Sequence, residues 1–166
     1  GDLYSDQVCL GSSAGACSES GFVRMTRLSQ EPFGALAFDG VLGVGLPGGN
    51  VGGDERFSLL GSLARRGVLK RDLFAVWLAT PDDDDPSEIT FGDFDPRRLG
   101  SEALWLPVRR EAATGAGLWQ VDLSEVSVRG ARLGLCGDAG CQAAFDTGTS
   151  AIAGPAAFVA GVLGAL

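Results

Sequence analysis

Residues 141–155 read CQAAFDTGTSAIAGP, and the meaning of the Asp146-Thr147-Gly148 step inside them decides the fold. An apolar strand, Ala143-Ala144-Phe145, delivers an aspartate into a turn made of Thr147, Gly148, Thr149 and Ser150. Burying a carboxylate is expensive unless it is hydrogen-bonded, and here hydroxyls and a glycine-opened backbone lie within local reach. The segment is therefore suited to holding a charged oxygen pair rigidly. An Asx-turn closing a strand is the plainer reading of the same tripeptide. No other Asp followed by Thr or Ser and then Gly occurs in the 166 residues, so any chemistry that needs two such turns finds one here.

The surroundings of this turn are mainly β in character. Glycine is abundant, at 26 residues with 7 prolines, and the Val/Leu/Phe runs between them suit short strands joined by tight turns. Residues 2–10 read as a strand, 11–20 as a Gly/Ser-rich turn and 21–29 as a second strand. The run Phe38 to Gly45, broken by glycines at alternate spacing, is predicted to be a strand passing close to another backbone. FSLLGSLARRG, 57–67, is the best helix: Phe57, Leu60 and Ala64 share one face with Leu59 and Leu63 beside it, arginines collect in the last turn and Gly67 can close it. LFAVWLA, 73–79, and EITFGDF, 88–94, form an expected hairpin across PDDDDP. That acidic tip lacks the glycine and closing glutamate of a calcium loop and reads as a solvated turn. Polar residues 95–103 suggest a boundary, giving expected domains of 1–100 and 101–166. Beyond it, 104–110, 117–130 and 131–136 read as strands. The tail, 154–166, is too short and glycine-rich to span a bilayer and reads as a helix packing on a core.

Composition narrows the function classes. Thirteen basic against 21 acidic residues give a formal charge of -8, and the basic residues come in scattered pairs, which opposes nucleic acid and anionic membrane as partners. Histidine is absent. Ser-His-Asp and Cys-His catalysis are thereby removed, together with the commonest zinc ligand, and no metal or other cofactor is expected. The chain opens GDLYSDQVCL, without an initiator Met or a leader, and reads as a processed product, an excised piece or an incomplete gene model. Its four cysteines fall into two close pairs, Cys9 with Cys17 and Cys136 with Cys141. Two short-loop disulfides in an oxidising compartment are expected, with free buried thiols as the alternative.

Taken in order, the matching segments are Gly1-Asp2-Leu3 with Asp6, Phe38-Asp39-Gly40-Val41-Leu42-Gly43, Asp72-Leu73-Phe74-Ala75-Val76, and Ser87-Glu88-Ile89 with Phe91-Gly92. Trp105-Leu106-Pro107-Val108, Trp119-Gln120-Val121, Cys136 to Cys141, and Phe145 to Ser150 with Gly154-Pro155 complete them. In this series the chain resembles the pepsin-like aspartic proteases over nearly its whole length. The resemblance implies part of a bilobal acid-protease fold: the end of the N-terminal lobe and the start of the C-terminal one. It implies an aspartic-type endopeptidase acting on peptide or protein substrates, with Asp146 as one of two catalytic carboxyls. In the family those carboxyls flank a water, one accepting its proton while the other donates to the scissile carbonyl. The first Asp-Thr/Ser-Gly and the flap tyrosine would lie upstream of Gly1, so the chain by itself is expected to be inactive.

By the same analogy Thr147 supports contacts between lobes, Gly148 meets substrate backbone, Thr149 orients the carboxylate, and Ser150 completes the loop. Phe38, Val41, Leu118 and Ala144 match substrate-pocket positions, although for Phe38 and Val41 a core role reads nearly as well. Ala144 is smaller than the usual aliphatic and Leu118 replaces an aromatic of pepsin, which leaves specificity open. The Cys136–Cys141 loop is one residue longer than the common spacing, and Cys9–Cys17 matches nothing in pepsin. A secreted or acidic vesicular location follows from the cysteine pairs and the resemblance. Two alternatives remain: a non-catalytic pepsin-fold binding or inhibitor protein, and a retroviral-type homodimer that builds its dyad by two-fold symmetry.

Overall fold

The computed structural model describes residues 1–11, 16–31, 33–35, 37–109 and 117–166. They gather into two compact units, Gly1–Leu104 and Trp105–Leu166. Short antiparallel strand pairs dominate both, and the chain is mainly β.

In the first unit β1 (Asp2–Cys9) pairs with β2 (Cys17–Arg24), in register from Asp2 opposite Arg24 to Cys9 opposite Cys17. The Cys9–Cys17 disulfide closes the end of this hairpin. Strand β2 thus starts at Cys17 rather than at Gly21: the cross-link fixes the register and draws residues 17–20 out of the expected turn into the ladder. A helix, α1 (Leu59–Arg65), packs against β2. Ser58 caps it, its Oγ accepting from the Gly61 amide at 3.1 Å, which satisfies one of the amides that a helix start leaves without a partner. Leu59 and Leu63 are buried, and Leu63 has no exposed surface at all.

Two contacts tie α1 to the hairpin. Arg66, just past the helix, donates from Nη1 to the Cys17 carbonyl at 2.6 Å, and Ser20 donates to the Arg56 carbonyl at 3.3 Å. A Cβ on Gly21 would stand 3.0 Å from the Phe57 ring, so a larger residue there would press on that ring.

The expected second hairpin forms between β3 (Phe74–Trp77) and β4 (Glu88–Phe91), with Phe74 opposite Phe91 and Trp77 opposite Glu88. Its acidic tip is more ordered than a simple solvated turn. Asp83 accepts from both the amide and the hydroxyl of Thr80 at 2.7 Å. Asp85 pairs with Arg98 at 2.6 Å, and the Arg98 guanidinium lies 3.7 Å from the centre of the Trp77 ring, a stacked cation that folds the tip back on the hairpin.

Two expected strands are absent. Residues 38–45 adopt no strand, and Phe38 and Val41 stand at the surface. Glycine at so many positions of this run leaves little side-chain surface to hold it on a neighbour. Residues 104–109 are likewise not a strand; Pro107 removes a ladder donor there, and residue 110 lies outside the described residues.

In the second unit β5 (Gln120–Leu123) pairs with β8 (Cys141–Ala144), and β6 (Ser127–Val128) with β7 (Ala131–Arg132). The tail is a helix, α2 (Ala156–Leu163), but none of its residues is buried. It meets Leu135 through Gly161, where a Cβ would come within 2.7 Å of Leu135 Cδ2. The expected packing on a core is therefore reduced to one flank, with Leu163 exposed. Among the described residues no helix is long and apolar enough to cross a membrane.

Candidate active site

The site is built from strand β8 upward. Its residues alternate in exposure, Cys141 and Ala143 half-buried and Gln142 and Ala144 exposed, the period-two pattern of a strand with one covered face. The ladder sets Gln120 opposite Ala144, Val121 opposite Ala143, Asp122 opposite Gln142 and Leu123 opposite Cys141. At one end the Cys136–Cys141 disulfide pins the first residue of β8. At the other, the Phe145 amide donates to the Trp119 carbonyl at 3.0 Å, carrying the pairing one residue past the strand. On the outer face Gln120 Nε2 donates to Gln142 Oε1 at 2.7 Å. The residue before Asp146 is thus held by backbone on both sides of the pair.

Asp146 then enters the turn. Its carbonyl accepts from the Thr149 amide at 3.2 Å, closing four residues into a β-turn. Its carboxylate takes two bonds from the same turn: the Gly148 amide donates to Oδ1 at 2.9 Å, and the Thr149 hydroxyl donates to Oδ2 at 2.6 Å. Each oxygen has its own donor, so the carboxylate plane is fixed. A Cβ on Gly148 would sit 3.2 Å from Oδ1, closer than ordinary contact, and a larger residue there would press on the atom its own amide holds. The Thr149 hydroxyl first, and then the Gly148 amide, lower the Asp146 carboxyl below its ordinary value; desolvation acts the other way and is the weaker effect. Hydrogen bonds to the charged form favour that form, so this carboxylate is held ionised and aimed.

One expectation needs correcting. The carboxylate is satisfied as the sequence implied, but it is exposed, as are Phe145, Thr147, Gly148, Thr149 and Ser150. Leu118 and Ala144, both exposed, belong to the β5–β8 end that leads to the turn, Ala144 opposite Gln120. Phe38 and Val41 belong to the first unit and are exposed there. All four cysteines are in the expected disulfides, Cys9–Cys17 and Cys136–Cys141. Among the described residues no group of three or more Cys, Asp or Glu side chains could hold a metal ion. The Gln120–Gln142 bond and the Trp119 carbonyl, both of which brace the turn, escaped the sequence reading. Only the strand register brings them together, and the one signal for it was Trp119-Gln120 preceding an alternating apolar strand.

Comparison with known proteins gives this geometry its context. The family described as "Eukaryotic aspartyl protease" matches residues 1–166. Aspartic proteinase A2 of Arabidopsis thaliana is 36% identical over 140 residues, 84% of this chain and 26% of that protein. Cathepsin E of Rattus norvegicus is 36% identical over 119 residues, 71% of this chain and 28% of that protein. Phytepsin of Hordeum vulgare is 33% identical over 139 residues, 83% of this chain and 26% of that protein. The chain thus spans about a quarter of the length of the curated relatives it matches. With the family matched from the first residue to the last and the Asp-Thr-Gly turn formed at the end of β8, the chain belongs to the eukaryotic aspartyl proteases.

Proposed function

We propose that this chain contributes one catalytic carboxyl, Asp146, to an aspartic-type endopeptidase that cleaves peptide or protein substrates with an activated water. The observation that supports this reading is the carboxylate of Asp146, held ionised by the Thr149 hydroxyl at 2.6 Å and the Gly148 amide at 2.9 Å on a turn braced by the β5–β8 ladder. An ionised, fixed carboxylate can accept a proton from water. Hydrolysis also needs a donor to the scissile carbonyl, and a second carboxyl placed beside the first serves as one. At about 3 Å and an effective dielectric near 20, two carboxylates would repel by roughly 5 kcal/mol, equal to about four pKa units. The pair therefore shares one proton and titrates as a unit, dividing base and acid roles between its members.

Only one Asp-Thr/Ser-Gly is present here, so in our reading the second carboxyl comes from a further segment of the same, longer polypeptide. Gly148 lies beside the carboxylate, where in our reading substrate backbone passes; Leu118 and Ala144, on the β5–β8 end that leads to the turn, are our candidates for meeting substrate side chains, as are Phe38 and Val41 within the first unit. The two disulfides fit a secreted or vesicular compartment, and an acidic one suits a dyad that must keep one proton.

The test is an acid-pH peptide cleavage assay with and without a pepstatin-type inhibitor. The pure 166-residue chain is expected to show no inhibitor-sensitive turnover. A longer product that carries an upstream Asp-Thr/Ser-Gly is expected to cleave, and to lose that activity on Asp146→Asn. Inhibitor-sensitive turnover by the short chain, or an active Asp146→Asn variant of the longer one, overturns the proposal.

A further inference from the structure

The chain contains fourteen aspartates, and Asp39 alone precedes glycine; each of the others is followed by a residue with a Cβ. Asp39-Gly40 lies in the run from 38 to 45 that forms no strand. Both residues are exposed, as are their neighbours Phe38 and Val41, the latter 77% accessible. A Cβ built on Gly40 would meet nothing within 4 Å, so the backbone there has room to turn. The Asp39 carboxyl has no hydrogen bond or ion pair among the described residues, whereas Asp54, Asp83, Asp95 and Asp146 are held by local donors.

These conditions match a specific covalent reaction. A backbone amide nitrogen can attack the side-chain carboxyl of the preceding aspartate when no Cβ shields the nitrogen and the local chain is free to rotate. We infer that Asp39-Gly40 is a site of spontaneous aspartyl isomerisation, and that its product is a substrate for enzymes that recognise β-linked aspartyl peptides. The Gly40 nitrogen forms a bond to Asp39 Cγ, and the carboxyl C–O bond breaks. The amide proton and the departing hydroxyl leave as one water, closing a five-membered succinimide. Water then adds back at either ring carbonyl. Opening at one restores aspartate; opening at the other leaves the chain running through the side-chain carbon, with an extra methylene in the backbone and a free α-carboxylate. No mass is gained or lost, and no oxidant is needed.

The consequence falls on Phe38 and Val41, the two apolar residues on either side, because a lengthened backbone between them changes their spacing.

The experiment ages the folded 166-residue chain in mildly acidic buffer at physiological temperature. It then counts β-linked sites by methyl transfer from labelled S-adenosylmethionine with an isoaspartyl methyltransferase, and locates them by peptide mapping. Label is expected to accumulate in the peptide containing residues 39 and 40, at a rate close to that of the same chain in denaturant. Asp39→Glu, which would need a six-membered ring, and Gly40→Ala, which shields the nitrogen, are each expected to bring that peptide down to the background of the other aspartyl sites. Label elsewhere but not in this peptide, or a folded-state rate far below the denatured one, overturns the inference; so does undiminished label in either variant.

Discussion

At the scale of single residues, the Asp146 turn is a small electrostatic device in which a hydroxyl matters more than an amide. Thr149 is the largest cause of the lowered carboxyl, ahead of the Gly148 amide. Thr149→Val keeps the branched shape and deletes the donor, so the Asp146 titration is expected to move up toward the ordinary value of 3.8. The carboxyl carbon resonance followed against pH reads this directly. The sign for stability follows from linkage. In the folded chain the group keeps its charge to a lower pH than in the unfolded chain. Its contribution is thus present above 3.8 and is lost as pH falls through the lower folded value. The variant should therefore be less stable than the parent chain above 3.8, and the difference should shrink and vanish as pH falls through the lower folded value. An unchanged Asp146 titration in Thr149→Val would show that the backbone, not the hydroxyl, sets the charge.

At the scale of elements, the hairpin β6–β7 carries a local strain that a single substitution can remove. Ser127 pairs with Arg132 and Val128 with Ala131, leaving Arg129 and Gly130 as a two-residue loop with φ of 51° and 82°. Positive φ at both positions is the turn that matches strand twist, and it favours Asn-Gly. Arg129 is the one described non-glycine residue with positive φ. Arg129→Asn is expected to stabilise the chain by about 1 kcal/mol, seen as a higher urea midpoint with an unchanged slope; a lower midpoint would mean that the arginine side chain contributes more than its backbone costs. The same scale shows what was legible in the sequence. Helix α1 announced itself through its apolar periodicity and its arginines, because such a pattern is local; the face expected to be central, Phe57, Leu60 and Ala64, is only half-buried, and the buried stripe is the neighbouring Leu59 and Leu63. Strand β8 and its turn were legible for a similar reason, since the donors to Asp146 lie within three residues of it. The start of β2 was not, because it depends on a cross-link between Cys9 and Cys17 and on Arg66, far along the chain, reaching the Cys17 carbonyl. Residues 38–45 misled for the opposite reason: alternation of apolar residues and glycine states a willingness to be a strand but does not supply the partner that makes one.

At the scale of the whole molecule, many large apolar side chains stand at the surface: Leu104, Trp105, Phe145 and Ile152 are all more than two-thirds exposed. Buried apolar side chains are few, with Leu59, Leu63 and Cys17 in the first unit and Cys136 in the second among the described residues. Truncating Leu63 to alanine would therefore remove much of the packed centre of the first unit, a loss of about 2–5 kcal/mol. Exposed apolar area of this extent drives association or recruits a cover. The 166-residue chain is accordingly expected to bind an apolar fluorescent dye strongly and to associate as its concentration rises in sedimentation. Its second unit, from Trp105 onward, should exchange backbone amides faster than α1 and β2, since among its described residues Cys136 is the one buried apolar side chain. A longer product spanning the length of its relatives should bind far less dye per residue, because the same side chains would then face protein. A dye-silent, monomeric short chain with slow exchange in both units would show that these apolar surfaces are covered within the chain itself.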